Sequence, residues 1–316
     1  MRARSLMKYT VTGGAGFIGS NLVDELIERG HEVVVVDNLV SGKEENINPK
    51  AKFILADING CRLGTHLLSS CTDRVIEAIK GSDSIFHLAA LARVQPSIDN
   101  PVKFHDTNVN GTLNVLMLAR ELGIKRVIYS SSSSAYGNAT IFPTPETHPT
   151  DPMSPYGLQK LIGEQYCKVF SRCYDLETVC LRYFNVFGER QSLSGAYRLV
   201  MGIFAQQRLE GKPMTIVGDG EQRRDFTYVG DAVRANILAS KSNKVGSGDI
   251  INIGNGDNRS VNQLADLIGG PRVNIEARLE PSQTLADNRK AKELLGWEPS
   301  VSLEDWVPQY KNQLDL

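Results

Sequence analysis

Tyr156 and Lys160 lie four residues apart in the segment YGLQK, and together they could supply a general base. On a helix, side chains at this spacing share one face. An ammonium close to a phenol stabilises the phenolate and lowers its pKa, which suits proton transfer near neutral pH. The same spacing is common by chance in surface helices, so a catalytic role needs support from other parts of the chain.

A run of serines, Ser130 to Ser134, follows a strand predicted at residues 126–129. Open α/β sheets bind their ligands at the carboxyl ends of the strands, so these hydroxyls are placed where a site would form. A solvated polar loop would have the same composition. The serine run and the Tyr–Lys pair therefore indicate a site only if the fold brings them to the same end of one sheet.

A glycine-rich turn with the sequence GGAGFIG, residues 13–19, joins the first predicted strand to the first predicted helix. Gly13 permits a tight turn, Gly16 permits close approach of a pyrophosphate, and Gly19 permits close packing of the helix on the strand. The amino end of the helix then offers N–H groups and a partial positive charge to phosphate. An ordinary tight strand-to-helix turn is the alternative reading.

Asp37 ends the second predicted strand, 18 residues after Gly19. A carboxylate at that point can accept a hydrogen bond from a ribose 2′-hydroxyl, and it would repel a 2′-phosphate. Asn38, and not an arginine, follows it. The turn and the carboxylate together favour NAD over NADP, although Asp37 could also be a simple turn residue.

Strands and helices alternate along the first part of the chain, and this predicts an α/β fold with a doubly wound parallel (Rossmann) sheet. The regular alternation fades after Asn185. We therefore expect an NAD-binding domain over residues 1–185 and a smaller α/β substrate-binding domain over residues 186–316, parts of which can return to the main sheet. Strands are predicted at residues 8–12, 31–36, 52–55, 84–88, 126–129 and 179–183, and helices at residues 16–29, 102–122 and 156–174, with a further helix ending at residue 79.

The composition excludes several classes of protein. The 316 residues carry a formal net charge of −1, which argues against nucleic acid or an anionic membrane as partner. No apolar run approaches the roughly 20 residues that span a bilayer, and no signal peptide is recognisable. The five cysteines show neither CxxC spacing nor a cluster with histidines, so we expect reduced thiols, no metal and a cytoplasmic location.

The ordered set of motifs resembles the extended short-chain dehydrogenase/reductase family. Within that family it is similar to the nucleotide-sugar 4-epimerases of the UDP-glucose and UDP-N-acetylglucosamine type, from about residue 8 to about residue 300. The motifs that carry the resemblance are GGAGFIG, Asp37, Asp57-Ile58, HLAA at 87–90, NVNGT at 108–112, the serine run with Tyr136-Gly137, the YxxxK segment and LRYFN at 181–185.

The resemblance implies an enzyme that oxidises C4 of a sugar with NAD, turns the 4-keto sugar over and returns the hydride to the other face. Ser132 would bind the sugar O4, Tyr156 would exchange the O4 proton, and Lys160 would bind the nicotinamide ribose and tune Tyr156. The residues implied to bind the cofactor are Gly13, Gly16, Phe17, Ile18, Gly19, Asp37, Asn38, Asp57, Ile58, Leu88, Ala89, Ala90, Asn108, Tyr156, Lys160 and Phe184.

The resemblance also implies the substrate side of the site. Arg224 and Arg278 would clamp the diphosphate, because a guanidinium binds phosphate oxygens in a bidentate manner. Thr284, two residues before Ala286-Asp287, would leave room for an N-acetyl group that a large aromatic residue would crowd. The residues implied to bind the substrate, a UDP-hexose or UDP-N-acetylhexosamine, are Ser132, Ser133, Asn185, Met214, Thr215, Ile216, Arg224, Arg278 and Thr284.

Other functions stay open at this point. A dehydratase or decarboxylase of the same superfamily would be expected to carry a carboxylate beside the catalytic hydroxyl, whereas Ser132 is followed by Ser133 and Ser134. A 4-epimerase of UDP-uronic acids would need a cation for the sugar carboxylate. A non-catalytic NAD-binding regulator is disfavoured because both Tyr156 and Lys160 are present. Helices at 102–122 and 156–174 resemble those that form a four-helix interface in relatives, so a homodimer is expected.

Overall fold

A seven-stranded parallel sheet forms the centre of the molecule, with helices on both faces. The computed structural model describes residues 6–60, 70–193, 199–277 and 280–316. The strands of the molecule are β1 (Lys8–Thr12), β2 (Glu32–Asp37), β3 (Lys52–Leu55), β4 (Ser84–His87), β5 (Arg126–Ser132), β6 (Glu177–Tyr183), β7 (Val186–Phe187), β8 (Met214–Val217), β9 (Arg223–Asp225), β10 (Thr227–Tyr228), β11 (Ser247–Ile253), β12 (Asn258–Ser260) and β13 (Arg272–Ile275). The helices are α1 (Phe17–Glu28), α2 (Ser70–Ile79), α3 (Val94–Asp99), α4 (Pro101–His105), α5 (Gly111–Glu121), α6 (Pro155–Tyr174), α7 (Val200–Leu209), α8 (Val229–Lys241), α9 (Val261–Ile268), α10 (Arg289–Leu295) and α11 (Leu303–Gln313).

The order of strands in the main sheet is β11-β6-β5-β4-β1-β2-β3, so the predicted doubly wound fold is confirmed. Its central strands are apolar on both faces, as Val33, Val34, Val35 and Val36 in β2 illustrate, each at most 2% exposed. Such strands need helices on both sides, because each face must be covered. One apolar core lies between the sheet and α1 and α8, and a second lies between the sheet and α2, α5 and α6.

Two predicted boundaries differ from the structure in ways that affect the site. Strand β5 continues to Ser132, so three hydroxyls of the serine run belong to the strand itself. The single helix predicted at residues 102–122 is wrong, because a π-helical turn at Asp106–Asn110 separates α4 from α5. The turn coincides with the buried Asn108, whose side chain binds the backbone of Leu91 at 2.9 Å through both its oxygen and its nitrogen.

The last third of the chain builds a smaller unit beside the carboxyl ends of the main sheet. Three two-stranded sheets, β7 with β10, β8 with β13 and β9 with β12, frame it. Helices α7, α9 and α11 enclose its core, in which Trp306 stacks on Tyr310 with ring centroids 4.4 Å apart. Helix α8 and strand β11 follow Asn185 in sequence. Even so, α8 packs on the main sheet, and β11 pairs with β6 within that sheet. The boundary at residue 185 stays a prediction.

None of the helices in the described ranges is long and apolar enough to cross a bilayer.

Candidate active site

A cavity of about 1390 Å³ runs along the carboxyl ends of the central strands. It extends from Asp37 at the end of β2, past Ser132 and Tyr156, to Arg224 on β9. This is the edge of a doubly wound sheet at which ligands are expected to bind. The fold therefore places the glycine turn, the serine run and the Tyr–Lys pair around one space.

The glycine turn is shaped for close backbone approach. Gly13 has a φ of 73°, which L side chains rarely adopt, and a Cβ there would lie 2.6 Å from the Ala89 nitrogen. A Cβ on Gly19 would overlap the carbonyl oxygen of Gly13. Gly16 precedes the first residue of α1 and lines the cavity, so the free amino end of α1 faces the space where a pyrophosphate would lie.

Replacement of Gly19 by alanine is expected to destabilise the fold by about 2 kcal/mol and to lower NAD affinity, because the added methyl must push α1 away from the turn. Thermal unfolding and NAD binding by calorimetry measure the two effects. Gly60→Ala is the matched control, since a Cβ there meets no described atom within 4 Å. Equal behaviour of the two variants would contradict the packing role of Gly19.

Asp37 is fixed at the mouth of the cavity. One carboxylate oxygen accepts the Ala15 N–H at 3.0 Å and the other accepts the Leu39 N–H at 2.8 Å. Asn38 donates to Asp57 at 2.9 Å. Each carboxylate oxygen keeps capacity for a further hydrogen bond, so the site fits a ribose diol and disfavours a 2′-phosphate. Further predicted cofactor residues that line the same end are Phe17, Ile18, Ile58, Leu88, Ala89 and Ala90.

Helix α6 begins where it can present Tyr156 to the serine run. Ser154 caps it by accepting the Gly157 N–H at 3.1 Å, and Pro155 occupies its first position. A Cβ on Gly157 would lie 2.5 Å from the Ser134 carbonyl oxygen, so glycine lets the helix approach the serines closely. Ser132 lines the cavity with Tyr156, and its hydroxyl accepts the Ser134 N–H at 3.1 Å and donates to the Ser134 hydroxyl at 3.1 Å.

The environment of Tyr156 includes two groups that favour its ionised form. Burial raises the pKa of the phenol, whereas the hydrogen bond from Ser132 and the charge of Arg93 lower it. Lys160 lies 6.0 Å from the Tyr156 ring centroid, and its ammonium donates to the Ser130 carbonyl at 2.7 Å. Burial lowers the Lys160 pKa to about 8, with Glu164 acting in the opposite direction. Ser132 and Arg93 are thus the groups that lower the Tyr156 pKa in this structure, and the tuning of Tyr156 by Lys160 stays a prediction.

A buried ion pair lies directly beneath the serine run. Arg182 on β6 donates to the two carboxylate oxygens of Glu164 at 2.7 and 2.6 Å, and both side chains are at most 2% exposed. Ser131 donates to the same carboxylate at 2.5 Å, and the Arg182 guanidinium lies 4.4 Å from the Tyr136 ring centroid. This pair is not among the residues predicted from the sequence. The available signal was an arginine within an apolar strand and a glutamate one turn after Lys160.

Several predicted site residues do not line the cavity. Asn108 is buried and holds the Leu91 backbone, and Phe184 packs against Tyr136. Met214 and Ile216 point into the core of the smaller unit, whereas Thr215 between them lines the cavity. Arg278 lies outside the described residues.

The substrate end of the cavity is built by β9 and the segment near Thr284. The Arg224 guanidinium lines it and pairs with Glu280 at 2.6 Å. Asn185 donates to the Asp225 carbonyl at 3.0 Å and to the Thr284 hydroxyl at 3.3 Å. Both Asn185 and Thr284 line the cavity, as does Ser133. A phosphate would compete with Glu280 for the same guanidinium.

Asp225 is a positioning residue that the sequence analysis did not identify. Its buried carboxylate accepts the backbone N–H groups of Asn255, Gly256 and Ala286 at 2.7 to 3.0 Å. Burial raises its pKa to about 7, although the hydrogen bonds from these three N–H groups lower the pKa. The segment that carries Thr284 is thereby tied to the strand that carries Arg224.

Comparison with known proteins agrees with this geometry. The sequence is 40% identical over 309 residues to a putative UDP-glucose 4-epimerase of Methanocaldococcus jannaschii, with 96% of each chain covered. It is 35% identical over 308 residues to UDP-glucuronic acid decarboxylase 1 of Xenopus tropicalis, covering 93% of this chain and 69% of that protein. The crystal structure of UDP-glucose 4-epimerase with UDP-glucose from Thermotoga maritima superposes with a TM-score of 0.87 at 41% identity, covering 98% and 100% of the two chains.

The sequence model of the NAD dependent epimerase/dehydratase family matches residues 9–254, which include the glycine turn, the serine run and α6. The predicted family is thereby confirmed. NAD is the family's cofactor, and the fixed carboxylate of Asp37 beside the glycine turn fits it. The chain therefore belongs to the NAD-dependent epimerase/dehydratase family of the extended short-chain dehydrogenases/reductases.

Proposed function

We propose that this protein inverts C4 of a UDP-linked hexose or N-acetylhexosamine through a transient 4-keto sugar. The observation that carries the proposal is that Ser132 and Tyr156 line one cavity, next to a serine run that contains no carboxylate. Elimination of water needs an acid and a base next to the reacting carbon. The carboxylates that line the described part of the cavity lie on other segments, at Asp37, Glu45, Asp57, Asp106 and Glu280.

NAD, held by the glycine turn and Asp37, would supply the hydride acceptor for C4 and would return the hydride. Tyr156 removes the O4 proton as C4 is oxidised and returns it when C4 is reduced, so it acts first as base and then as acid. Ser132, which lines the cavity with Tyr156, would hold O4 against the phenol. Lys160 keeps a positive charge beside the serine run, where it would stabilise the phenolate. The net reaction consumes no cofactor.

Arg224 supports inversion by holding the part of the substrate that does not react. A guanidinium binds phosphate oxygens strongly, and this one lies in the cavity at the end remote from the glycine turn. A sugar anchored through its diphosphate can rotate about the bonds to the phosphate and present its other face. The same anchoring would let both 4-epimers bind in one site.

The experiment that tests the proposal incubates the purified protein with UDP-, dTDP- and GDP-linked hexoses and N-acetylhexosamines. Product sugars are identified by chromatography and NMR, and NADH is followed by absorbance. The expected result is a 4-epimer of a UDP-sugar without net NADH. Formation of a 4-keto-6-deoxy sugar would show a dehydratase and would contradict the proposal.

Thr284 is expected to set the size of the sugar. Its hydroxyl accepts the Asp225 N–H at 3.1 Å and the Asn185 amide, and the side chain lines the cavity. Thr284→Tyr should lower kcat/KM for UDP-N-acetylglucosamine relative to UDP-glucose by about tenfold or more, because a ring would occupy the space of the N-acetyl group. Thr284→Val controls for the two lost hydrogen bonds. An unchanged ratio in the tyrosine variant would refute the assignment.

A homodimer in the cytoplasm remains part of the proposal. Exposed apolar residues lie on α4 and α6, among them Val102, Leu158 and Val169. Such residues on two neighbouring helices would be covered by the same helices of a second copy. Sedimentation equilibrium at micromolar concentration measures the association.

A further inference from the structure

Residues 284–287, here called the wall segment, carry Thr284 to the cavity. The segment runs beside Thr144, which is distant from it in sequence. The Thr144 N–H donates to the Leu285 carbonyl at 2.7 Å, and the Asp287 N–H donates to the Thr144 carbonyl at 3.1 Å. The position of Thr284 in the cavity therefore depends on the groups that hold Thr144 and Asp287.

The side chain of Asn252, on β11, holds both of these residues. Its amide nitrogen donates to the Thr144 carbonyl at 2.9 Å and to the Asp287 carbonyl at 3.1 Å. Its carbonyl oxygen accepts the Tyr136 hydroxyl at 2.7 Å. The side chain is fully buried, and both amide protons and the oxygen have partners. The Asn252 amide is thus fixed in one orientation and joins Tyr136 to the wall segment.

Tyr136 is anchored to the serine run. Its backbone N–H donates to the Ser133 carbonyl at 3.0 Å. Its buried ring lies in one apolar cluster with Ala286 of the wall segment, and the Arg182 guanidinium lies 4.4 Å from the ring centroid. Arg182 is paired with Glu164 on the helix that carries the predicted general base. Contacts therefore run without a break from the serine run and α6, through the Tyr136 ring and hydroxyl, to the wall segment.

We propose that Tyr136 and Asn252 are positioning residues that set the distance between Ser132 and Thr284 for the reacting sugar. The inference rests on the proposed C4 inversion, in which Ser132 holds O4 and Thr284 faces the substituent at C2. Ser132 and Thr284 line the cavity, whereas Tyr136 and Asn252 do not. The two buried residues therefore act on the sugar through the groups that they hold.

The spacing matters because a pyranose ring is rigid. C2 and C4 are separated by a single ring atom, so the groups that contact O4 and the C2 substituent must keep one spacing while each face of the ring is presented in turn. A shift of about 1 Å in a bound reacting group can lower a rate by about a hundredfold. A site of this kind needs buried supporting residues that hold its contacts in place.

The nucleotide end of the cavity is held by other contacts. Thr215 forms two hydrogen bonds with Gln207 of α7, at 2.9 and 3.0 Å. Arg224 pairs with Glu280 at 2.6 Å. Neither contact involves Tyr136. Binding of UDP, which has no sugar to be spaced, is therefore expected to be independent of the positioning residues.

The test replaces Tyr136 by phenylalanine in the holoenzyme, which removes the hydroxyl and keeps the ring that Arg182 covers. We expect kcat for inversion of UDP-glucose to fall about tenfold, because Ser132 and Thr284 lose their fixed spacing. The ratio of kcat/KM for UDP-N-acetylglucosamine to that for UDP-glucose should rise by about threefold, because a loosened wall segment admits the larger substituent. The calorimetric dissociation constant for UDP should change by less than about twofold.

Tyr228→Phe is the matched control. The Tyr228 hydroxyl donates to Glu189 at 3.0 Å within the smaller unit, away from the cavity lining. This variant also loses one hydrogen bond of a phenol, so it should lower the temperature of thermal unfolding without changing kcat or the substrate ratio.

Asn252→Ser gives a second measure of the same connection, because it removes the acceptor of the Tyr136 hydroxyl. If Tyr136 acts through this amide, the double variant Tyr136→Phe/Asn252→Ser inverts UDP-glucose at the rate of Asn252→Ser alone, within about twofold. A double variant whose loss is the product of the two single losses would overturn the shared role.

The outcomes separate this inference from the proposed function. A wild type that inverts UDP-glucose, with a Tyr136→Phe variant whose kcat and substrate ratio stay within about twofold of it, overturns the positioning role and leaves C4 inversion standing. An equal loss of kcat in Tyr228→Phe, or a parallel loss of UDP affinity in Tyr136→Phe, shows a general loosening of the fold and also overturns the role. A wild type that inverts no nucleotide sugar overturns C4 inversion and this inference with it.

Discussion

Tyr156→Phe is expected to reduce the rate of C4 inversion by about a thousandfold or more while NAD stays bound. The substitution removes only the phenolic hydroxyl of a residue that lines the cavity with Ser132, so the fold and the cofactor end of the cavity are kept. General acid–base catalysis by a positioned group contributes about 10²- to 10⁴-fold, and here the same group acts twice in each turnover. The measurement is the initial rate of 4-epimer formation, together with NAD content after gel filtration.

Tyr166→Phe is the control for this prediction, because Tyr166 lies on the same helix and packs against the core away from the cavity lining. Its activity should match the wild type. A Tyr156→Phe enzyme that keeps more than a tenth of the wild-type rate would assign the proton transfer to another group. Loss of NAD from the variant would indicate a structural defect in place of a catalytic one.

Glu164→Gln is expected to destabilise the protein by about 3 to 5 kcal/mol. The substitution keeps the shape of the side chain but leaves the charge of Arg182, which is 2% exposed, without its carboxylate. Removal of one partner of a buried ion pair is costly because the remaining charge stays out of water. Chemical denaturation followed by circular dichroism measures the free energy of unfolding.

Glu25→Gln provides the matched control, because it removes the same carboxylate from a partly exposed pair with Arg29 at the end of α1. The expected loss there is about 0.5 kcal/mol. The double variant Glu164→Leu/Arg182→Met should recover much of the lost stability, since two apolar residues leave no buried charge. If Glu164→Gln unfolded at the same denaturant concentration as Glu25→Gln, the buried pair would not be the stabilising element that its geometry indicates.

Local sequence patterns predict much of the fold. The run Val33–Val36 is apolar on both faces. This pattern is typical of a parallel strand that is buried between two layers of helices. The glycine turn is nearly as local. A Cβ on Gly16 or Gly19 would meet Gly13 in the same turn, and a Cβ on Gly13 or Gly14 would meet Ala89 or Val35 on a neighbouring segment. The position of Asp37 at the sheet edge follows from β2, because Asp37 is the last residue of that strand.

Features that depend on contacts between distant segments could not be read from the sequence. The π-helical turn at Asp106–Asn110 accompanies the bonds between Asn108 and Leu91, 17 residues apart. The pair of Glu164 and Arg182 joins a helix to the following strand, across 18 residues of the chain. The resemblance predicts Met214 and Ile216 at the site, whereas alternation along β8 turns Thr215 and Val217 to the cavity.

The pairing of β11 with β6 has a consequence for the chain as a folding unit. Strand β11 completes the sheet from a point more than 60 residues after the end of β6, and it covers backbone groups from Thr178 to Tyr183. A fragment cut after Asn185 would leave that row of N–H and C=O groups as an open edge, a template for strand addition by another molecule. The edge of β6 in the amino-terminal part is thus protected from self-association by β11, which is synthesised later. The sheet is complete only when β11 has paired with β6.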